Sequence, residues 1–381
     1  MLLTEEHDNI RKTVRDFAER EIKPVARELD EKEEFSIPLT KRMGELGLFG
    51  MRTTSEYGGL DMDTLSYVIA VEELARVDGS HAATLAAHIS LGMGPIQNYG
   101  NAEQKKKYLP MLSGGEATWA FGLTEPDAGS DSRGTKTTAR LEGGQWIING
   151  SKIFITNGAS AINKGATVQV VSGEQNGQKE FSTILVDADT PGFRRVPMHG
   201  KLMWRSSDTA QLFFDDCRVP ASNLLGKRGE GSKIMLNTLD SGRLAIGAMG
   251  LGCAQGAFEM ALKYAKERRQ FGKPIGHFQV IAFKLADMAT KIELARNLLY
   301  KGAWLKSNNQ PFAKEAAMAK LYCSEIAKEV ADEAVQIFGG YGLMKDYDIE
   351  RFYRDQRLLQ IGEGTSEIQR LVISRYIGVY D

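Results

Sequence analysis

The sequence has few cysteines, and their spacing does not suggest a cross-link. Cys217, Cys253 and Cys323 are the only three, and they stand far apart in the chain. Disulfide-dense scaffolds and cysteine zinc sites both need closely spaced or paired cysteines. The sequence therefore predicts neither a disulfide framework nor a metal site, and it indicates a protein of the reducing cytoplasm.

An excess of charge of one sign is also lacking. Lys and Arg number 48 and Asp and Glu number 49, which gives a formal net charge of −1. A balanced chain without a basic tail has no general attraction for a polyanion or an anionic membrane surface. We therefore expect no nucleic-acid partner.

No long apolar run stands out. A membrane-spanning helix needs ~20 mostly apolar residues, and no stretch of the sequence approaches that length. The opening residues, MLLTEE, lack the basic region and apolar core of a secretory signal. The expectation is a protein without a membrane anchor.

Hydrophobic periodicity divides the chain into three predicted domains. Residues 1–118 favour helices, with an apolar face at Ile10, Val14 and Phe17. Residues 119–226 favour an antiparallel β-domain, because Gly143-Gly144 separates two strand-like runs. Residues 227–381 favour helices again, with an apolar seam at Ile281, Leu285, Met288, Ile292, Ala295 and Leu299. The predicted fold class is α+β, mainly α.

A carboxylate between two glycines near the C-terminus is the strongest chemical signal. Glu363 lies between Gly362 and Gly364, and the pair Thr365-Ser366 follows. Glycines allow a close approach of the backbone to a ligand, and Thr365 or Ser366 can cap the next helix. Glu363 is thus a candidate general base at a helix N-terminus. The alternative is an ordinary surface glutamate in a glycine-rich turn.

A second segment, at 119–131, joins an apolar run to a loop rich in Gly, Ser and Asp. Such loops expose backbone N–H groups and hydroxyls to a ligand. Three more stretches follow in order: Ile153 to Asn157, Arg268 to Gly272 and Gln336 to Gly342. With the Glu363 loop, these motifs resemble the acyl-CoA dehydrogenase family over essentially the whole chain. The similarity is greatest to the short-chain and branched-chain members.

This resemblance implies an N-terminal helical domain, a middle β-domain and a C-terminal four-helix bundle, commonly assembled as a homotetramer. It implies FAD as cofactor, because no side chain can accept the hydride that leaves the β-carbon of an acyl-CoA. Glu363 would remove the α-proton, and its backbone N–H would help to hold the thioester oxygen. Electron-transferring flavoprotein would reoxidise the flavin.

The resemblance also assigns binding residues. Those that match FAD-binding positions are Phe121, Leu123, Thr124, Gly129, Ser130, Phe154, Ile155, Thr156, Arg268, Phe271, Gln279, Gln336, Phe338, Gly339, Gly340, Thr365, Ser366 and Glu367. The group from Arg268 to Gly340 would be reached from a neighbouring subunit. Those that match substrate positions are Ser130, Asp240, Arg243 and Gly364.

Some residues depart from the family pattern. Gly362 stands where many straight-chain members have Tyr, which predicts room for an α-branched, alicyclic or aromatic acyl group. Phe154 stands where many relatives have Trp, which could alter the electron-exit face. Gly242 stands at the base position that some long- and branched-chain relatives use instead. Arg133 and Arg205 remain candidate partners for a dicarboxylic substrate.

Three alternative functions stay open at this point. The same residues would serve an enoyl-CoA reductase or a dicarboxyl-CoA dehydrogenase of the glutaryl-CoA type. A non-enzymatic helical member of the superfamily, binding nucleic acid or a protein partner, is the third.

Overall fold

The computed structural model describes residues 3–379. The first two and last two residues, where the outer predicted domains begin and end, lie outside that range. The N-terminal region is helical, as predicted. Its helices are α1 Glu5–Phe17, α2 Lys23–Lys32, α3 Ile37–Glu45, α4 Thr64–Ala75, α5 Gly79–Ala87, α6 Gly94–Tyr99 and α7 Ala102–Ser113.

Local sequence explains how this region begins and where it bends. The Thr4 hydroxyl accepts from the His7 backbone N–H, and the His7 ring accepts from the Thr4 N–H, so a capping box starts α1. The predicted face of α1 is buried. A π-helical segment, His88–Met93, carries the chain from α5 directly into α6.

The middle region is an eight-stranded sheet. Its strands are β1 Thr118–Gly122, β2 Thr138–Glu142, β3 Gln145–Thr156, β4 Asn163–Gln175, β5 Gln178–Asp187, β6 Phe193–Pro197, β7 Thr209–Pro220 and β8 Leu224–Leu225. The spatial order is β6-β7-β3-β2-β4-β5-β8, with β1 beside β4. The sheet is mixed rather than purely antiparallel, because β1 and β2 each pair with β4 in parallel. The predicted hairpin is present, and Gly143 and Gly144 both have positive φ in its turn.

The C-terminal region is a helical bundle. Its elements are α8 Gly231–Glu267, a hairpin of β9 Arg269–Gln270 and β10 Lys273–Pro274, α9 Gln279–Ser307, α10 Ala313–Phe338, α11 Ile349–Asp355 and α12 Ser366–Tyr376. The predicted seam of α9 faces inward, and all of it but Ile281 is fully buried. By length and composition α8 could span a bilayer, contrary to the sequence expectation. However, 78% of its apolar 18-residue stretch is buried inside the protein, as in the core helix of a soluble protein.

One hydrophobic core joins the two helical regions, because α1, α4 and α5 contribute to the same cluster as α8, α9 and α10. The sheet has a core of its own. A small apolar cluster of Phe121, Leu123 and Met235 connects the end of β1 to the start of α8. The domain boundaries at 118 and 226 themselves stay a prediction.

Candidate active site

The loop before α12 holds Glu363 in an unusual backbone conformation. Glu363 has φ +52° and Gly364 has φ +91°, so two successive residues are left-handed. That conformation suits Gly364 but is strained for a glutamate. Thr365 then caps α12, since its hydroxyl accepts from the Ile368 N–H at 3.3 Å. Glu363 therefore lies in a loop just before a helix N-terminus, as the sequence predicts, while its role as a base stays a prediction.

The carboxyl group of Glu363 is buried and unpartnered in the part of the chain that the structure describes. Its Oε2 has no hydrogen-bond partner within residues 3–379. Burial raises the pKa of Glu363 to about 7, although the positive charges of Lys320 and Arg243 act in the opposite direction. A carboxylate whose pKa lies near neutrality is a far better base than one with its ordinary value.

Gly242 on α8 makes room for this carboxyl. A Cβ placed at residue 242 would collide with Glu363 Oε2 and lie 2.9 Å from its Cδ. The alternative base position of the family is therefore filled here by the side chain of Glu363. Next to it, Arg243 donates to Asp240, so two predicted substrate residues form an ion pair near Glu363.

The predicted flavin residues of the sheet lie together. Phe121 and Leu123 pack in the cluster that also includes Leu91, and Leu91 Cδ2 lies 3.2 Å from the Cβ position of Gly242. The Ile153 N–H donates to the Thr124 carbonyl at 2.9 Å, which ties the two predicted loops to each other.

Phe154 sits at a bulge in β3. The pairing of β3 with β7 is irregular between Lys152 and Ile155, and Phe154 has φ +61° there. Its ring is 64% exposed, while Ile155 is buried and Thr156 is half-buried. A strained bulge that presents an aromatic ring outward is typical of a binding site rather than a folding core.

Glu125 anchors the loop that carries Gly129 and Ser130. It accepts from Lys152 Nζ at 2.7 Å in a buried pair and from two backbone N–H groups, those of Lys136 and Thr137. Gly129 and Ser130 are exposed at the tip of this loop. The sequence analysis did not identify this anchor, because it depends on contacts across the sheet.

A second group of predicted FAD residues lines a cavity of about 450 Å³ at the end of α10. Arg268, Phe338, Gly339 and Gly340 all contribute to its wall. The Arg268 guanidinium lies over the Tyr341 ring at 5.5 Å, and no atom lies within 4 Å of a Cβ added at either glycine. The predicted FAD residues Phe271, Gln279 and Gln336 are exposed and do not line this cavity.

The last predicted FAD contact is at the start of α12. Ser366 is buried, and its hydroxyl has no hydrogen-bond partner in the described chain. Glu367 is exposed, and hydrogen bonds at the helix start lower its pKa. The residues of these three regions fit FAD. They offer an exposed ring at Phe154, open glycine backbone at Gly339 and Gly340, and a guanidinium suited to phosphate oxygens.

Comparison with known families identifies the class of protein. Residues 4–116 match the acyl-CoA dehydrogenase N-terminal domain, residues 120–217 the middle domain and residues 229–378 the C-terminal domain. The chain belongs to the acyl-CoA dehydrogenase family.

Full-length relatives agree. A probable acyl-CoA dehydrogenase of Bacillus subtilis is 49% identical over 98% of both chains. A short-chain specific acyl-CoA dehydrogenase of Clostridium acetobutylicum is 47% identical over 98% of both chains. An acryloyl-CoA reductase (NADH) of Anaerotignum propionicum is 45% identical over 98% of this chain and 95% of the relative.

Solved structures show the same fold. Butyryl-CoA dehydrogenase from Megasphaera elsdenii has a TM-score of 0.96 at 41% identity, over 99% of both chains. An acyl-CoA dehydrogenase complexed with FAD from Bacillus anthracis has a TM-score of 0.93 at 39% identity, over 98% of this chain and 67% of that one. A chain from the structural work on the electron-transferring flavoprotein of Acidaminococcus fermentans has a TM-score of 0.97 at 45% identity, over 100% of both.

The protein is therefore an enzyme, a flavoprotein oxidoreductase that uses FAD to dehydrogenate acyl-CoA thioesters. The non-enzymatic interpretation of the sequence is set aside. The roles of the individual residues remain to be argued from the geometry.

Proposed function

We propose that Glu363 is the base that removes the α-proton of the acyl thioester. One observation carries this proposal: a buried carboxyl with no hydrogen-bond partner in the described chain and a pKa raised to about 7. Bound FAD supplies the acceptor for the β-hydride. The carboxylate would receive the proton on Oε2, in the space beside Gly242.

The backbone of the same residue would assist. The N–H of Glu363 donates to no acceptor within residues 3–379, so it is available to the thioester oxygen. That oxygen gains negative charge as the α-proton leaves, and a fixed donor stabilises it. Ser130, Asp240, Arg243 and Gly364 would hold the rest of the thioester and exclude water from the base.

The pH dependence of the reaction tests the base. Glu363 must be ionised to accept the proton, so kcat/KM should rise with pH through about 7 and level off above it. Glu363→Gln should retain FAD and lose at least ~10³-fold in the rate of anaerobic flavin reduction. A glutamine variant with normal turnover would contradict the assignment.

The acyl group is proposed to be short and either branched or alicyclic. The three atoms nearest to a Cβ at Gly362 all belong to Leu358, at 3.5–3.7 Å. We infer that the space that a tyrosine ring would occupy beside the base is left to the substrate. Anaerobic titration of the yellow protein with straight, branched and cyclic acyl-CoAs tests this. Faster bleaching by straight chains than by branched or cyclic ones would argue against it.

A dicarboxyl-CoA substrate is the second candidate. Arg205 is already bound to Glu33, and Arg133 is exposed on its loop. Two cations that the sequence analysis did not identify, Arg52 and Lys306, are better placed. Lys306 donates to Ser241 next to Gly242, and burial with the nearby charge of Arg52 lowers its pKa to about 7.

Neither cation has a carboxylate within salt-bridge distance in the described chain, although Asp63 and Asp61 act on Arg52, and Asp240 on Lys306, from further away. An anionic acyl terminus would therefore pair with Arg52 and favour the charged form of Lys306. Glutaryl-CoA in the same titration decides between the candidates. The dicarboxylic substrate is favoured if glutaryl-CoA reduces the flavin and if Arg52→Leu abolishes this reduction. The same variant must still be reduced by butyryl-CoA.

We also propose a homotetramer of the cytoplasm that passes its electrons to an electron-transferring flavoprotein. The similarity to the chain from the Acidaminococcus fermentans work supports that partner. The relative named acryloyl-CoA reductase (NADH) supports the reverse reaction as the alternative. Reoxidation of the reduced enzyme by purified electron-transferring flavoprotein, compared with reduction of enoyl-CoA by NADH, separates the two directions.

A further inference from the structure

A lysine is buried in the core of the bundle behind the base. Lys320 is 0% exposed, and its neighbours one turn away on α10 are small residues, including Ala316, Ala317 and Cys323. Burying an ammonium is costly unless it is paired, and an apolar side chain of similar length would fill the same volume. The ammonium itself therefore needs an explanation.

The partner of Lys320 lies in the Glu363 loop. Its Nζ donates to the Gly364 carbonyl at 2.6 Å, across 44 residues of sequence. Gln369, also buried, donates to the same carbonyl at 3.0 Å and to the Glu363 carbonyl at 3.3 Å. The Gly364 carbonyl is thus held by donors from two helices, α10 and α12, and the Glu363 carbonyl by a donor from α12.

We propose that Lys320 is a positioning residue for the base, which fixes the left-handed turn at Glu363 and Gly364 and holds a positive charge behind the carboxyl. Gln369 is the second support of the same turn. The inference rests on the proposed role of Glu363. It adds that the orientation of the base and of its N–H comes from α10 and α12 rather than from the loop itself.

The electrostatics agree with the geometry. Burial raises the pKa of Glu363, and the charges of Lys320 and Arg243 limit that rise. Burial lowers the pKa of Lys320 to about 8, against the opposite effect of Glu363. The titratable and charged groups that face this pair are Arg243, Tyr67, Glu325 and Glu367. None of these four donates to the Glu363 or Gly364 carbonyl.

The test compares FAD-loaded Lys320→Met and Lys320→Gln with the wild type. Without the positive charge, the acid limb of kcat/KM should move to higher pH by about one unit, because a nearby opposite charge shifts a carboxyl by one unit or more. Lys320→Met should also lose ~10- to 100-fold in kcat, since the turn is no longer held. Lys320→Gln retains a hydrogen-bond donor, so its kcat should be higher than that of Lys320→Met. The acid limb of its kcat/KM profile should still move to higher pH.

A half-buried lysine whose hydrogen bonds all lie outside the Glu363 loop provides the control for the pH profile. Lys201 donates to the carbonyls of Trp204 and Ser207, at 2.8 and 2.6 Å, and no charge effect links it to Glu363. Lys201→Met should leave the acid limb in place. If the limb of both Lys320 variants also stays in place, or if neither variant folds with FAD, Lys320 is a structural residue and the proposal is wrong. Glu363→Gln separates this result from a wrong base, because normal turnover in that variant would refute the base itself.

Discussion

At the residue scale, Gly242 is a position next to the proposed base that has no room for a side chain. Gly242→Ala would place a methyl group where the Glu363 carboxyl now lies. The carboxyl is the flexible end of a side chain, so it can move away and the fold should be little affected. A displacement of about 1 Å at a reacting group can cost ~100-fold in rate. We expect a loss of that order in the rate of flavin reduction, with an unchanged melting temperature.

Gly302→Ala on α9 is the matched control. Its Cβ would meet the Leu244 side chain at 3.0 Å, and its next nearest atoms are backbone atoms of Ala316 and Glu315 at 3.7 Å. Both variants replace a buried helical glycine, so any difference in rate reports on the base. Equal rates for the two variants would mean that the carboxyl does not act from the position seen here.

Gly362 is expected to set specificity without affecting stability. The three atoms nearest to its Cβ position belong to Leu358 and lie at ordinary contact distance, and its φ is not positive. Gly362→Tyr should therefore fold, and it should raise the preference for butyryl-CoA over a branched or cyclic thioester by ~10-fold or more, as one or two methylenes can do. Gly362→Ala should change the preference little. The ratio of kcat/KM values for the two thioesters measures this, and an unchanged ratio would refute the pocket.

Sequence reasoning finds residues whose signal is local. Glu363 stands out because glycines and a capping threonine surround it within one short segment. Lys320 binds the Gly364 carbonyl of that segment from 44 residues away in the sequence. No local sequence pattern indicates such a contact. One signal was available: a lone lysine at a core position of the α10 stripe, one turn from Ala316 and Cys323.

At the element scale, periodicity predicts helices and hairpins but not long-range strand pairing. The seam of α9 and the Gly143-Gly144 turn depend on neighbours in sequence, and both predictions are confirmed. The parallel pairing of β1 with β4, which begins at Thr118 and Asn163, joins segments with several elements between them. Parallel pairing needs such a crossover, so the alternation within one strand cannot reveal it.

The β9–β10 hairpin, residues 269–274, is an arm whose apolar tip is exposed to solvent in the single chain. Phe271 at its tip has φ +49°, and its ring is 93% exposed. We expect a neighbouring subunit and its FAD to cover this ring in the proposed tetramer. Phe271→Ser should then lower the FAD content per subunit and weaken assembly, as measured by flavin absorbance and light scattering after gel filtration.

Leu141→Ser is the control for this arm. Leu141 is also an exposed apolar side chain, but it lies on β2 and pairs with Trp146 near the start of β3, at the other end of that strand from the bulge at Phe154. Its replacement should change neither FAD content nor mass. If Phe271→Ser behaves like this control, the arm has no role in the site of a neighbour.

At the scale of the whole molecule, a buried network of charges connects the helical regions. Glu73 on α4 is 1% exposed. It binds Arg15 at 2.8 Å, Arg76 at 3.2 Å and Arg11 at 3.4 Å. Arg76 continues the network to Glu259 on α8. These contacts tie α1 and α4 to the bundle, and they lie on the shared core rather than at the base.

Removal of Glu73 should destabilise the protein without changing its chemistry. Glu73→Ala removes the common carboxylate of three arginines. Because Arg76 keeps Glu19 and Glu259 and Arg15 is 44% exposed, the cost should be about 1–3 kcal/mol. We expect a clear fall in the urea midpoint, with FAD-loaded protein in native buffer retaining its flavin-reduction rate. Glu28→Ala, which removes the exposed pair with Lys32, should leave the midpoint unchanged. Equal midpoints for the two variants would mean that the apolar core alone holds the helical regions together.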